Sequence, residues 1–94
     1  MIQSFRCKET AQIFEGRYSK KLPSNIQQRA LNKLRLISTV TQIETLSIPP
    51  PSNHFKALTG NRTGQHSIRI NTQWRICFCW KDGHAHDVEI VDYH

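Results

Sequence analysis

The 94 residues carry 13 Lys and Arg against 7 Asp and Glu, for a formal net charge of +6, and the pI is near 9.7. A chain of this length builds one core and leaves no room for a separate substrate domain, so a single domain over residues 1–94 is expected. No run approaches the roughly 20 apolar residues a bilayer crossing needs, and MIQSFRCKET has no apolar secretory core; a cytoplasmic protein with no membrane partner is expected.

In chain order, Met1 to Arg6 is mixed, with Ile2 and Phe5 suited to an opening edge strand. Lys8 to Glu15 sets Ala11, Ile13 and Phe14 near helical spacing, and Gly16 follows as a left-handed cap. A polar connector from Arg17 to Pro23 carries Arg17, Lys20 and Lys21. Ser24 and Gln27 read as a capping box for a second helix. Its Ile26, Ala30, Leu34, Ile37 and Thr41 recur at helical spacing and predict a face lying on a sheet, while Arg29, Lys33 and Arg35 fall on the solvated faces.

Pro49, Pro50 and Pro51 forbid helix and remove three donors, so Thr41 to Asn53 reads as an extended crossover loop. His54 to Leu58 is the expected first strand, closed by turn chemistry at Thr59-Gly60-Asn61. Three runs of period-two alternation follow, Ser67 to Asn71, Trp74 to Lys81 and His84 to Val91, the pattern of an antiparallel meander. Ile68, Ile70, Trp74, Ile76, Phe78, Trp80, Val88 and Ile90 share the core parity; Arg69, Arg75, Cys77, Cys79 and Lys81 take the other.

The basic surface attracts nucleic acid or an acidic protein. Arg69 and Arg75 on one strand face, with Arg62 in the turn before it, gather three guanidinium groups whose planar forks match phosphate oxygens. The same spacing also accommodates solvated arginines paired with Asp87 or Glu89 across the sheet. Asp92, Tyr93 and His94 offer a carboxylate, a phenol and an imidazole for proton transfer, or else a frayed polar tail. Cys77, Cys79, His84, His86 and His94 are potential zinc ligands, but they lack the usual zinc spacings. Cys77 and Cys79, about 6–7 Å apart on one strand face, do not suit a disulfide. Neither a metal nor a cofactor is expected, and no Gly-rich phosphate loop or GxSxG elbow is present.

The segment LTGNRTGQHSIRINTQWRICFCWKDGHAHDVEIVDYH, Leu58 to His94, resembles the C-terminal part of the RelE/HigB-type toxins, also called plasmid-maintenance killer proteins. SIRINTQWRICFCW followed by VEIVDYH carries the likeness, which is tight from Gly60 onward and loose before Asn53. The resemblance implies a RelE-like α+β fold, with two N-terminal helices on one face of a twisted, mainly antiparallel sheet of about four strands and a basic cleft on the other. It implies a ribosome-dependent messenger-RNA endonuclease, neutralised by a cognate antitoxin, commonly of helix-turn-helix type, through which the pair binds operator DNA. A catalytically weakened relative, acting mainly with its antitoxin as a repressor, is the alternative. Carried onto this chain, Arg75, Asp92, Tyr93 and His94 are the expected catalytic residues, with Arg62 and Arg69 on phosphate. Relatives often have a lysine where Thr59 stands, and some a histidine or glutamate at Lys56. Lys56 or His54, which share a face by strand parity, is placed to substitute.

Overall fold

The computed structural model describes residues 1–47 and 53–92; the Pro49–Pro51 crossover, Tyr93 and His94 lie outside them. Helix α1 spans Lys8–Phe14. Gly16, at φ 83°, closes it as expected: the Gly16 N–H donates to Ile13 O at 2.9 Å and the Arg17 N–H to Gln12 O at 3.0 Å, the paired bonds of a Schellman cap. Helix α2 spans Ser24–Thr39. The expected capping box does not form, because Pro23 occupies the N-cap, Ser24 is already helical and no side chain caps the end. Gln27 is buried and turned back onto the connector instead. Its Nε2 donates to Ser19 O at 2.7 Å and Leu22 O at 2.9 Å, and its Oε1 accepts from the Ser19 N–H at 3.0 Å. The helix also stops before Thr41: Val40 turns extended and is itself buried, and a short 3-10 helix at Ile43–Ser47 adds Leu46 to the core.

The sheet is β1 (Lys56–Ala57), β2 (Gln65–Arg69), β3 (Trp74–Lys81) and β4 (His84–Asp92), in that spatial order, each pair antiparallel. Three strands differ from expectation in their bounds, β4 by a single residue, since it runs to Asp92 rather than Val91. The first strand is Lys56–Ala57 rather than His54 to Leu58, because His54 sits at φ 45°, outside strand geometry. The second starts at Gln65 and ends at Arg69, where the Ile70 and Asn71 N–H groups both turn onto Trp74 O. Within β4 a bulge breaks the parity read from Val88 and Ile90. Cys77 pairs with Glu89 but Cys79 with His86, so Asp87 and Val88 together oppose Phe78. Asp87 takes φ 53°, and N-terminal of it Ala85 reaches the core.

The chain does not begin with a helix. Ile2 and Phe5 form parallel bridges to Ala85 and Val88, and Ser4 Oγ accepts the N–H of bulged Asp87 at 2.9 Å. The apolar stripe of α2 (Ile26, Ala30, Leu34, Ile37) packs in one cluster with Ile68, Ile76, Phe78, Val88 and Ile90. Thr10 of α1 fixes the helix to the sheet by accepting the Ile90 N–H at 3.0 Å in the interior. No described helix is long and apolar enough to cross a membrane.

Gln27→Ala leaves the buried Ser19 donor and acceptor without their partner. The expected cost is about 2 kcal/mol in urea unfolding, and a loss under about 0.5 kcal/mol would mean that the connector is held by something else.

Candidate functional site

The face of the sheet away from the core is ordered by cross-strand rows. Lys56, Ser67, Cys77 and Glu89 are successive partners across all four strands, and Arg69, Arg75 and Val91 form the next row. Ser67 and Cys77 are fully buried, so the first row has a floor of two small side chains. Burial pushes the Cys77 thiol above its ordinary range; Arg62 and Arg75 pull it back and Glu89 adds to the rise. A buried protonated thiol is packing material here, not a nucleophile.

Arg69 and Arg75 stand directly opposite one another, a placement of like charges that destabilises a strand pair unless other groups hold them. Arg75 Nε donates to Ser67 Oγ at 2.8 Å, and a terminal nitrogen of its guanidinium donates to His54 O. Arg69 Nε donates to Asn71 O at 3.0 Å, and its Nη1 lies 3.3 Å from His54 Nε2. His54 therefore meets both arginines, one through its carbonyl and one through its ring. It arrives by its left-handed backbone turn, which corrects the strand-parity argument that grouped it with Lys56. Lys56 is exposed on β1, opposite Ser67.

Of the three guanidinium groups expected together, the third is drawn aside. Arg62, in the 3-10 turn Gly60–Arg62, donates to Gln65 Oε1 at 3.0 Å and to Glu89 Oε1 at 2.9 Å. Arg6 approaches the other Glu89 oxygen at 4.0 Å. Glu89 thus engages Arg62 and Arg6 rather than taking the cross-sheet pairing considered for Arg69 or Arg75. Asp92, the register partner of Trp74, lies on the core parity, one residue out of phase with Arg75; its Oδ2 accepts from Gln73 Nε2 at 3.0 Å.

Two cations that the sequence placed on the outer faces of α2, Arg29 and Lys33, also reach this region. A cleft of about 510 Å³ is lined by Arg29, Lys33, His54, Arg69, Ile70, Asn71 and Thr72. It opens between α2 and the β2–β3 turn, so the helix layer supplies part of the basic cleft that was expected on the opposite face alone. Arg29 Nη1 donates to Ile70 O at 3.1 Å and Lys33 Nζ to Asn53 Oδ1 at 2.6 Å. Burial, and then the neighbouring Arg29 charge, push the Lys33 ammonium below its ordinary pKa. The available signal was the one-turn spacing of the two cations; nothing in the sequence told which segment would lie against them.

Behind the site, the His66 ring stacks on Phe55 with centroids 5.5 Å apart and planes 6° apart, and burial lowers its pKa from the ordinary 6.5. As pH falls, the unfolded chain takes up this proton before the folded one. The stabilisation is therefore complete above about pH 6.5 and is lost as pH drops from there toward the folded-state value. Stability measured by urea unfolding should decline between about pH 7 and 5, and His66→Phe should flatten that decline; an identical pH profile in the variant would assign it to other groups.

The model of a family described as "RelE-like toxin of type II toxin-antitoxin system HigB" matches residues 3–94. The chain is 36% identical over 86 residues to Toxin HigB-1 of Vibrio cholerae serotype O1, covering 90% of each. It is 33% identical over 94 residues to Endoribonuclease HigB of Proteus vulgaris, covering 100% of each. Two solved structures share the fold at low identity. A point mutant of YafQ from E. coli superposes with a TM-score of 0.59 at 9% identity, covering 98% of this chain and 93% of that one. The YoeB–YefM complex from Staphylococcus aureus superposes at 0.58 and 16%, covering 100% and 98%.

Proposed function

The chain belongs to the HigB family of RelE-like toxins of type II toxin-antitoxin systems, and on that premise we propose that it is an endoribonuclease that cuts messenger RNA on the translating ribosome. The observation that carries the reading is the Arg69–Arg75 pair, held by Ser67, His54 and Asn71 near the β2–β3 turn. Attack of a 2′-hydroxyl on its own phosphodiester gathers negative charge on a phosphorane, and cationic donors fixed in advance stabilise that charge most. Arg75, oriented by its bonds to Ser67 and His54, is the group assigned to the phosphorane. Arg69 binds the same phosphate or its neighbour. Lys56, opposite Ser67, adds charge at the edge, and Arg62 contributes less because Glu89 already partners it.

The proton transfers fall to Asp92, Tyr93 and His94, with His54 beside the arginines as a further imidazole. One group removes the 2′-hydroxyl proton and another protonates the leaving 5′-oxygen, which leaves a 2′,3′-cyclic phosphate. The substrate supplies its own nucleophile, so the cut calls for no activated water and no cofactor. In support of an antitoxin partner, the structural neighbour from S. aureus is a YoeB–YefM complex. A cognate antitoxin, of helix-turn-helix type in this branch, would neutralise the chain and link it to operator DNA. An activity directed at translating ribosomes places the chain in the cytoplasm.

Expressed without an antitoxin, the chain should arrest growth. Arg75→Ala should lower transcript cleavage by about 10²–10³-fold with the unfolding midpoint nearly unchanged, and removal of Tyr93 and His94 should abolish it. A folded chain ending at Asp92 that still cleaves would overturn the assignment of those two residues. Ser67→Ala, which loosens Arg75 without removing it, should lower kcat by about tenfold and leave KM close to wild type.

A further inference from the structure

Acidic residues are absent from the whole stretch between Glu15 and Glu44, which carries Arg17, Lys20, Lys21, Arg29, Lys33 and Arg35. Within it, Arg29 and Lys33 stand one helical turn apart on the same side of α2, where like charges repel. No carboxylate relieves them: among the described residues, Arg29 donates to a backbone carbonyl and Lys33 to an amide oxygen. Both line the same cleft as Arg69 and His54, and no carboxylate is found among its described lining residues.

The cleft rim is a circuit of contacts. Lys33 holds Asn53; His54, next in the chain, meets Arg69; Ile70, next after Arg69, takes Arg29. The cations are thus fixed relative to one another and to Arg75, whose guanidinium is held by the same His54. At about 510 Å³ the cleft has the size of a small-ligand site, which admits a nucleotide but not a folded segment.

We propose that this cleft is a second phosphate subsite, in which Arg29 and Lys33 bind the transcript backbone at a linkage flanking the scissile one. The proposal rests on the endonuclease reading for the identity of the RNA. Two cations brought together without counter-charge are stabilised when a phosphate enters between them. A flanking phosphate anchored there aligns the next linkage with Arg75 by way of His54. The two cations therefore act on transcript affinity and placement, not on the chemical step.

The test is a double-mutant cycle between protein and transcript on programmed ribosomes. The full chain and its R29Q/K33Q variant are compared on transcripts in which each linkage flanking the cut is replaced, one at a time, by an uncharged methylphosphonate. Each combination is read as cleavage and as equilibrium binding to a transcript with a 2′-deoxy sugar at the cut. The wild-type chain should lose about tenfold in KM or Kd at one particular neutral linkage, with kcat retained. R29Q/K33Q should show that loss already and be insensitive to the same linkage, while R29K/K33R should recover most of it.

Additive losses, or a variant that weakens binding equally whichever linkage is neutral, would place the two cations on ribosomal RNA and overturn the proposal. A variant indistinguishable from wild type on every transcript would also overturn it, as would one that loses only antitoxin affinity. If the wild-type chain binds but never cuts, the endonuclease reading fails, and the binding cycle still decides the subsite.

Discussion

Two arginines placed face to face across the β2–β3 hairpin set the terms for everything around them. Arg69 and Arg75 are direct register partners, an arrangement that weakens a hairpin unless each charge is drawn into its own contacts. Among the described residues, groups that orient them include Ser67 Oγ, the His54 carbonyl and ring, and Asn71 O. Neutral acceptors such as these fix the direction of a guanidinium. Arg62, by contrast, lies against the Glu89 carboxylate, so its charge is largely balanced within the fold. The sheet therefore sets an arginine tied to a carboxylate on one side and a face-to-face arginine pair on the other.

The layers beneath make that separation rigid. Ser67 and Cys77 are small enough to be covered completely, which lets Arg75 lie across the sheet rather than project from it. On the opposite side, Ile68, Ile76 and Phe78 pack in one cluster with α2, so the strands that carry the arginines cannot shift without opening the core. The helix has two roles: its apolar stripe fixes the sheet, and its Arg29 and Lys33 extend the charged surface around the end of the hairpin. Under the proposed reading, a cut made by the RNA's own 2′-hydroxyl would need little beyond positioned cations and two proton carriers.

The meander was legible because Ser67 to Asn71 and Trp74 to Lys81 put large apolar side chains at every second position, and the Gly16 cap because only a left-handed residue closes a helix in that way. The β4 bulge was not. Asp87 is held at positive φ within a strand whose bulged N–H is taken by Ser4, 83 residues away in sequence, and no local pattern encodes such a partner. Gln27 was misread for a related reason, since a capping box and a clamp on the preceding connector use the same residue type. His54 was assigned to the site on strand parity and reaches it through a backbone turn instead. Arg29 and Lys33 looked solvated because amphipathicity reports which side of a helix is apolar, not what lies against its polar side. Lys56 and Arg75 are where the strand pattern put them, and the roles of Tyr93 and His94 rest on the family likeness alone.

The most direct measurement is transcript 5′-end mapping in a reconstituted translation reaction, with and without ribosomes, together with identification of the matching 3′ ends. Codon-phased cuts that require ribosomes and leave 2′,3′-cyclic phosphate are what this account predicts. Cuts ending in a free 3′-hydroxyl would contradict it, because the 2′-oxygen would then not be the nucleophile and the arginine pair would have no phosphorane to stabilise.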